Sequence, residues 1–268
     1  MSFFSRFKKS IKNGAMIKED ISLIFDEISS LRKEIENSEG KLDELRVALE
    51  RLMRSVKIDG SALNSGERQV SRTLDGIRFD HLGRYELVLD YIKDSDLVLD
   101  LACGIGYGSY LMAHSNKNIY VDGVDISKDA INFAKKHYCL NNTSYFCCDA
   151  FEFPNSLLPK DKKYSKIISF ETIEHIYDDV NLLKIFDSLL MEDGLLFLST
   201  PNQEFMPFDK LKFPYHYKHY LPDELEKLLI SCGFKIISIF SQQTNTDREL
   251  ISGWRGVFNI VICKKINY

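Results

Sequence analysis

The chain has 268 residues, of which 44% are hydrophobic and 28% are charged, and its formal net charge is −4. These values fit one α/β domain of about 200 residues with a smaller appendage, and they exclude the overall basic charge of a nucleic-acid-binding protein. The six cysteines form no C-x-x-C pair, and no apolar run approaches the ~18 residues of a membrane span, so we expect no zinc framework, no signal peptide and a location in the reducing cytosol.

Residues 1–16 form a basic segment with a short apolar stripe. Phe3, Phe4, Phe7 and Ile11 fall on one face of a helix, basic residues surround them, and the segment contains no acid. This pattern favours an amphipathic helix at a membrane surface, with a frayed and solvated terminus as the alternative.

Residues 17–58 are predicted to form a coiled-coil helix. Ile, Leu or Val recurs at alternating steps of four and three from Ile17 to Val56, and only Ser38 beside Gly40 interrupts the pattern. Five heptads of this kind predict a homo-oligomer held by the coiled coil, with dimer and trimer both open. The alternative is a helix folded back on its own domain.

A polar segment, 59–67, is predicted as the linker that opens a domain over 59–268. The next segment leads into a helix that we expect to end near Lys93. Arg68 at the start of this segment and Arg84 further along it are candidates to bind an anionic group of a ligand. A surface helix with ordinary arginines is the alternative.

A glycine turn follows the first predicted strand. The apolar run that begins at Val98 passes through Asp100 and Gly104 in the pattern D-x-x-x-G-x-G-x-G, and a helical segment comes next. A second apolar strand, 119–124, ends on Asp125. This arrangement is half of a nucleotide-binding βαβ unit.

The spacing of the turn and its acids narrows the class of ligand. Dinucleotide sites use G-x-G-x-x-G to seat a pyrophosphate on a helix N-terminus. Asp100 would repel a phosphate and suits a ligand with positive charge, such as a sulfonium with an amino-acid tail. Asp125 can accept hydrogen bonds from both hydroxyls of a ribose. A tight turn without a ligand is the alternative that these two acids disfavour.

Three later segments complete the series of motifs. They are C-D-A-F at 148–151, S-F-E-T-I-E-H at 169–175 and L-L-F-L-S-T-P-N at 195–202. With the glycine turn and Asp125, they make the chain resemble the class I S-adenosylmethionine-dependent methyltransferases over roughly residues 66–268.

This resemblance implies S-adenosylmethionine as the cofactor and a set of residues that bind it. The first motif lies around the methionine moiety. Asp125 holds the ribose, Ile126 packs on the adenine, and Asp149 faces the adenine amino group. The cofactor-binding set implied by the resemblance is Arg84, Asp100, Ala102, Gly104, Gly106, Asp125, Ile126, Asp149, Ala150 and Glu171.

The resemblance also implies the fold. We expect a Rossmann-like α/β fold with a seven-stranded sheet in the order 3-2-1-4-5-7-6, preceded by the N-terminal coiled-coil helix. The β-rich runs 234–240 and 257–263 match the antiparallel hairpin that closes such a sheet.

Methyl transfer to an alcohol requires a base for the hydroxyl proton. His175, which ends the fourth-strand motif, is the first candidate, and His216 is the second. Glu174 is placed to orient His175 or to bind a sugar hydroxyl. A structural role is the alternative for each histidine, and no metal site is predicted. The aromatic strip 205–220 is expected to stack on an acceptor ring or to pack as a lid.

Within the superfamily, the combined motifs resemble bacterial O-antigen and surface-polysaccharide methyltransferases. They imply O-methylation of a sugar hydroxyl on a lipid-linked glycan, in biosynthesis or chain termination, by a homo-oligomer in the cytoplasm with peripheral contact at the inner face of the membrane. The expected partners are the glycan acceptor and a glycosyltransferase or the export machinery, without nucleic acid. The alternatives are a quinone-type small-molecule methyltransferase, a coiled-coil scaffold with a degenerate cofactor site, and an NAD-linked sugar oxidoreductase, which the glycine spacing disfavours.

Overall fold

The computed structural model describes residues 68–159 and 161–266. The predicted basic segment 1–16, the predicted coiled coil 17–58 and the predicted linker 59–67 lie outside these described residues. Those three assignments therefore stay predictions.

An eight-stranded sheet runs through the described residues. Its spatial order is β3-β2-β1-β4-β5-β8-β6-β7. Strands β1 to β5 pair in parallel, and β8 runs antiparallel between β5 and β6. The strands are β1 (Leu97–Leu101), β2 (Tyr120–Asp125), β3 (Thr143–Cys147), β4 (Tyr164–Phe170), β5 (Leu190–Pro201), β6 (Phe234–Gln242), β7 (Ile251–Ser252) and β8 (Phe258–Lys265).

The predicted strand order 3-2-1-4-5-7-6 is confirmed when β8 is counted as the predicted strand 7. The predicted number of strands is wrong, because the sheet has eight and not seven. The eighth strand, β7, has two residues and pairs with the edge of β6. It forms because the chain returns along β6 before Gly253, whose N–H donates to the Ile239 carbonyl at 3.0 Å. Gly253 then turns the chain with a positive φ of 88°.

Helices cover both faces of the sheet. Because successive strand residues point to opposite faces, Val98 and Ile168 join one apolar cluster with α1, α2 and α3, while Leu99 and Ile167 join another with α5 and α6. Both faces of the parallel strands are therefore buried. The helices are α1 (Phe79–Leu89), α2 (Tyr107–Ser115), α3 (Lys128–His137), α4 (Phe153–Ser156), α5 (Asp179–Leu189) and α6 (Pro222–Ser231), with 3-10 turns at Leu74–Gly76 and Ile173–His175.

The helix that was expected to end near Lys93 is α1, and it ends earlier, at Leu89. The hydrogen bond from the Tyr91 N–H to the Val88 carbonyl, 3.0 Å, closes it with a turn. All six cysteines are free thiols. None of the helices in the described ranges has the length and apolar character that a bilayer span requires.

Candidate functional site

The turn after β1 bends through residues with left-handed backbone. Gly104 has φ 56° and Gly106 has φ 84°, and Ala102 adopts the same region with φ 65°, which is uncommon for alanine. A Cβ on Gly106 would lie 2.8 Å from the Tyr145 ring, so close packing requires this glycine. A Cβ on Gly104 would meet nothing within 4 Å, so the space beside this backbone is open to a ligand.

Asp125 joins the end of β2 to the glycine turn. Its Oδ2 accepts a hydrogen bond from the Gly104 N–H at 3.0 Å, and its Oδ1 accepts one from the Ser127 N–H at 2.8 Å. Ser127 also caps α3, since its side chain accepts from the Ala130 N–H. The Oδ1 atom forms an ion pair with Arg68 Nη2 at 3.0 Å. A ribose at Asp125 would therefore share this carboxylate with Arg68 or displace it.

Asp100 lies at the end of β1 and is buried. It accepts hydrogen bonds from the Tyr85 hydroxyl at 3.0 Å and from the Ser109 hydroxyl at 2.6 Å. Burial raises the pKa of Asp100 to about 6, and these two hydrogen bonds oppose the shift. These two contacts tie α1 and α2 to β1. Because both carboxylate oxygens already accept hydrogen bonds, Asp100 would act on a positively charged ligand through its electrostatic field and not by direct contact.

Arg84 is buried in α1 and is held on most sides. Its Nε donates to Gln242 at 2.7 Å, its Nη2 donates to Asp80 at 3.0 Å, and its guanidinium lies 4.4 Å from the Phe258 ring centre. Within the described residues, Nη1 has no hydrogen-bond partner and lies 3.6 Å from Glu171 Oε1. Nη1 is therefore the atom of Arg84 that a ligand anion would meet.

Three acids mark the carboxyl ends of neighbouring strands. Glu171 follows β4 with a left-handed φ of 49°, and its Oε1 accepts from the Ser199 hydroxyl at 2.7 Å. Asp149 follows β3, is half-buried, and accepts from the Phe151 N–H at 2.8 Å. With Asp125 as the last residue of β2 and the glycine turn after β1, these residues share the edge at which open α/β sheets bind ligands.

Two further members of the predicted cofactor set lie beside these acids. Ala150 follows Asp149 and is half-buried. Ile126 follows Asp125, and its side chain is 54% exposed. An apolar side chain this exposed next to the β2 acid offers an apolar contact to a ligand ring.

Glu174, His175 and His216, here called the Glu–His–His cluster, meet beyond β4 and β5. One side-chain ligand atom of each lies within 4.8 Å of the others. Glu174 is fully buried; its Oε2 accepts from the Thr200 hydroxyl at 3.1 Å, and its Oε1 has no hydrogen bond within the described residues. Burial raises the pKa of Glu174 well above its usual range, and the negative charge of Glu171 adds to the shift.

Hydrogen bonds fix the tautomers of the histidines in this region. His219 Nδ1 lies 2.6 Å from the Met206 carbonyl, which only accepts, so Nδ1 carries the proton. Because His219 Nδ1 donates to that carbonyl, its Nε2 is the acceptor for the Nδ1–H of His216 at 2.7 Å. His175 Nδ1 likewise donates to the Tyr215 carbonyl at 3.1 Å. In both cluster histidines Nδ1 is thus the donor, which leaves Nε2 as the nitrogen that can accept.

The predicted aromatic strip divides into two groups. Tyr220 is buried, and its hydroxyl donates to Asp179 at 2.9 Å, so this ring is structural. Phe205, Tyr215 and Tyr217 are 52%, 39% and 37% exposed. Tyr215 and Tyr217 are tied to the Glu–His–His cluster through their backbone, and Lys210 Nζ lies 5.4 Å from the Tyr217 ring centre.

Sequence reasoning missed the residues that support the named ones. His219 orients His216, and Thr200 holds one oxygen of Glu174. The H-x-x-H spacing of His216 and His219 was a visible signal for the first contact. No pattern in the sequence indicates the second, because Thr200 and Glu174 come from different strands' ends.

The sequence matches a family described as Methyltransferase domain over residues 92–248. A probable S-adenosylmethionine-dependent methyltransferase of Mycobacterium tuberculosis is 32% identical over 139 residues, which cover 51% of this chain and 48% of that protein. The ubiquinone biosynthesis O-methyltransferase of Actinobacillus pleuropneumoniae is 32% identical over 126 residues, covering 44% and 53%. (S)-Coclaurine N-methyltransferase of Papaver somniferum is 29% identical over 189 residues, covering 68% and 52%.

The chain spans about half the length of these curated relatives. Among solved structures, an S-adenosylmethionine-dependent methyltransferase of Mesorhizobium loti aligns with a TM-score of 0.56 and 16% identity, over 70% of this chain and 100% of that one. This structural likeness shows the fold. Because the relatives include both O- and N-methyltransferases, likeness alone leaves the acceptor atom open.

Proposed function

The chain belongs to the methyltransferase domain family, and from that premise we propose that it transfers the methyl group of S-adenosylmethionine to a hydroxyl oxygen of a sugar. The sugar belongs to the acceptor glycan, a lipid-linked cell-surface polysaccharide that the protein methylates during biosynthesis or at chain termination.

Three features around the glycine turn support cofactor binding. The open space beside Gly104 suits the methionine moiety, the exposed Ile126 suits an adenine face, and Nη1 of the buried Arg84 suits a carboxylate. Asp125 would bind the ribose hydroxyls, and Asp149 would bind the adenine amino group. When bound, the cofactor supplies an electrophilic methyl group on a sulfonium, and the protein supplies alignment and desolvation.

The observation that carries the acceptor assignment is the Glu–His–His cluster, with the exposed Tyr215 and Tyr217 held against it by backbone hydrogen bonds. Aromatic faces stack on sugar rings, so Tyr215 and Tyr217 are suited to hold one. His175 is less buried than His216, and its Nε2 is the nitrogen that can accept, which suits acceptance of the hydroxyl proton as the oxygen attacks the methyl carbon.

Substitution of His175 tests this role. We expect His175→Ala to lower turnover by roughly 10²–10⁴-fold while the affinity for S-adenosylmethionine, measured by titration calorimetry, stays nearly the same. The surface variant His114→Ala is the matched control and should behave as the parent protein, since His114 is exposed. An equal loss of turnover and cofactor affinity in His175→Ala would indicate a structural role for this residue.

An acceptor screen tests the substrate class. The full chain is incubated with methyl-labelled cofactor and either extracted surface glycans, their lipid-linked precursors or phenolic quinone precursors. Label in the glycan fractions supports the proposal. Label only in the phenolic fraction supports the second candidate, a quinone-type O-methyltransferase, which the likeness to the ubiquinone enzyme favours.

The proposed assembly follows from segments outside the described residues. The heptads of 17–58 would join copies of the chain, and the basic segments 1–16 of such an oligomer would bind a membrane surface with avidity. A glycosyltransferase or the export machinery is the expected partner there. The rival proposal, a scaffold with a degenerate cofactor site, predicts that titration with S-adenosylmethionine gives no heat of binding.

A further inference from the structure

The Glu–His–His cluster combines two imidazole rings with one buried carboxyl group. We propose that Glu174, His175 and His216 bind a divalent metal ion of the zinc, iron or manganese class. Two histidines and one carboxylate are a recurrent ligand set for such ions, and imidazole ligands favour them over Mg²⁺, which prefers oxygen.

The orientation of each imidazole matches that of a metal ligand. Ligating histidines usually donate their other ring N–H to a carbonyl or a similar acceptor, which fixes the tautomer and leaves one nitrogen for the ion. His175 donates Nδ1–H to the Tyr215 carbonyl, and His216 donates Nδ1–H to His219, which is anchored on the Met206 carbonyl. In both rings Nε2 is thus the nitrogen that can bind the ion.

Glu174 provides the second, independent observation. Its side chain is fully buried, Thr200 satisfies Oε2, and Oε1 has no hydrogen bond within the described residues. A buried carboxylate oxygen without a donor is unfavourable unless a cation or a proton compensates it. A bound divalent ion would supply that compensation.

The backbone holds the three ligands in reach of one another. Glu174 and His175 are adjacent in the turn after β4, and the loop that carries His216 is pinned to this turn by the bond from the Tyr217 N–H to the Glu174 carbonyl, 2.7 Å. Tetrahedral ligands at bond lengths of about 2.1 Å lie about 3.4 Å apart. One ligand atom of each side chain already lies within 4.8 Å of the others, so binding an ion would require only a modest approach of the three side chains.

Three protein ligands leave a coordination position for the acceptor, a role that rests on the proposed function. A bound ion would lower the pKa of a coordinated hydroxyl, so that its proton would pass to water as its oxygen bonds to the methyl carbon, with the electron pair of the broken C–S bond left on sulfur. With the ion bound, Nε2 of His175 would bind the metal, so the role of base proposed above would apply to the metal-free protein. Metal binding itself is independent of the acceptor's identity.

The direct test is metal titration of the full chain after removal of its affinity tag and dialysis against a chelator. We expect one Zn²⁺ per chain with a dissociation constant below about 1 μM, and binding of Mg²⁺ at least 100-fold weaker, by titration calorimetry. Co²⁺ in place of Zn²⁺ should give the enhanced visible d–d absorption bands of a four-coordinate Co²⁺ ion.

Variants locate the site. Glu174→Gln and His216→Ala should each weaken Zn²⁺ binding at least 100-fold, and Thr200→Val, which removes a supporting hydrogen bond, should weaken it by about 10- to 100-fold. His114→Ala, at an exposed histidine, should leave it unchanged. Circular dichroism and cofactor titration report whether each variant folds. If Glu174→Gln or His216→Ala does not fold, the weaker Zn²⁺ binding expected of Thr200→Val still tests the site.

Binding of Zn²⁺ with the same affinity in Glu174→Gln and His216→Ala, or no binding to the parent protein, would overturn the proposal. The two proposals fail separately. If the chelated protein methylates glycans at the full rate, the ion has no catalytic role and His175 remains the base. If Zn²⁺ binds as expected but no glycan is labelled, the metal site stands and the sugar acceptor is wrong.

Discussion

Two glycines of one turn allow a matched pair of substitutions that separate ligand binding from packing. Gly104 and Gly106 both have positive φ, so an alanine at either position costs about 1–2 kcal/mol from left-handed backbone. At Gly106 the new Cβ would also lie 2.8 Å from the Ala134 Cβ and from the Tyr145 ring, and overpacking adds about 1–3 kcal/mol. The expected loss in unfolding free energy is about 1–2 kcal/mol for Gly104→Ala and about 2–5 kcal/mol for Gly106→Ala.

Gly104→Ala should lose mainly affinity for the cofactor, whereas Gly106→Ala should lose mainly stability. A unit of about 200 residues loses roughly 2–4 °C in melting temperature per kcal/mol, so Gly104→Ala should remain folded and melt only a few degrees lower. Ala102, with φ 65° in the same turn, shows that an alanine can occupy this region. The Gly104 Cβ would enter the open space, so affinity for S-adenosylmethionine should fall by about 10- to 100-fold.

Thermal unfolding by circular dichroism and titration calorimetry with the cofactor measure both quantities on the same samples. An unchanged cofactor affinity in Gly104→Ala would refute the assignment of the open space to the methionine moiety. A melting temperature in Gly106→Ala equal to that of the parent would refute the packing argument. Loss of both properties in both variants would mean that the turn folds as one unit with its ligand.

Three further outcomes are expected. The pKa of Asp100 is raised from 3.8 to about 6, so the folded state binds this proton more tightly than the unfolded state does. The contribution of Asp100 to stability is therefore lost as the pH rises from about 4 to about 6. In urea unfolding over that window, the free energy of unfolding of Asp100→Asn should change with pH by up to about 3 kcal/mol less than that of the parent protein. Asp125→Asn should weaken S-adenosylmethionine binding by about 10- to 100-fold in calorimetry, and an unchanged affinity would mean that Arg68 keeps this carboxylate and the ribose binds elsewhere. Deletion of residues 1–58 should give a monomer by light scattering, whereas an unchanged oligomeric mass would contradict the coiled-coil prediction.

The central fold was predictable because its signals are local. The β1 strand, the glycine turn and the acid after β2 form one continuous stretch in which period, glycine positions and charge agree. The number of strands was not predictable, because β7 has two residues and exists only through its pairing with β6. A strand of this length has no sequence period of its own.

The placement of site residues was predictable where it follows from strand ends, and their partners were not. Asp125 and Glu171 lie at the carboxyl ends of β2 and β4 as expected, because parallel strands bring these ends to one edge. The ion pair of Arg68 with Asp125 joins residues that are 57 positions apart in the chain, and no periodicity encodes such a contact.

The sequence by itself determined the fold family and the ligand-binding edge, since a glycine turn with an acid on either side constrains backbone and charge within 26 residues of chain from Asp100 to Asp125. Only the tertiary structure decided what the histidines form. It brought His216 from the loop after β5 to Glu174 and His175 after β4, and it buried Glu174 with one carboxyl oxygen left without a hydrogen bond. It also set Nδ1 of His175 against the Tyr215 carbonyl and Nδ1 of His216 against Nε2 of His219. Tautomers and orphaned oxygens depend on neighbours that are distant in the chain, so they emerge only when the chain is folded.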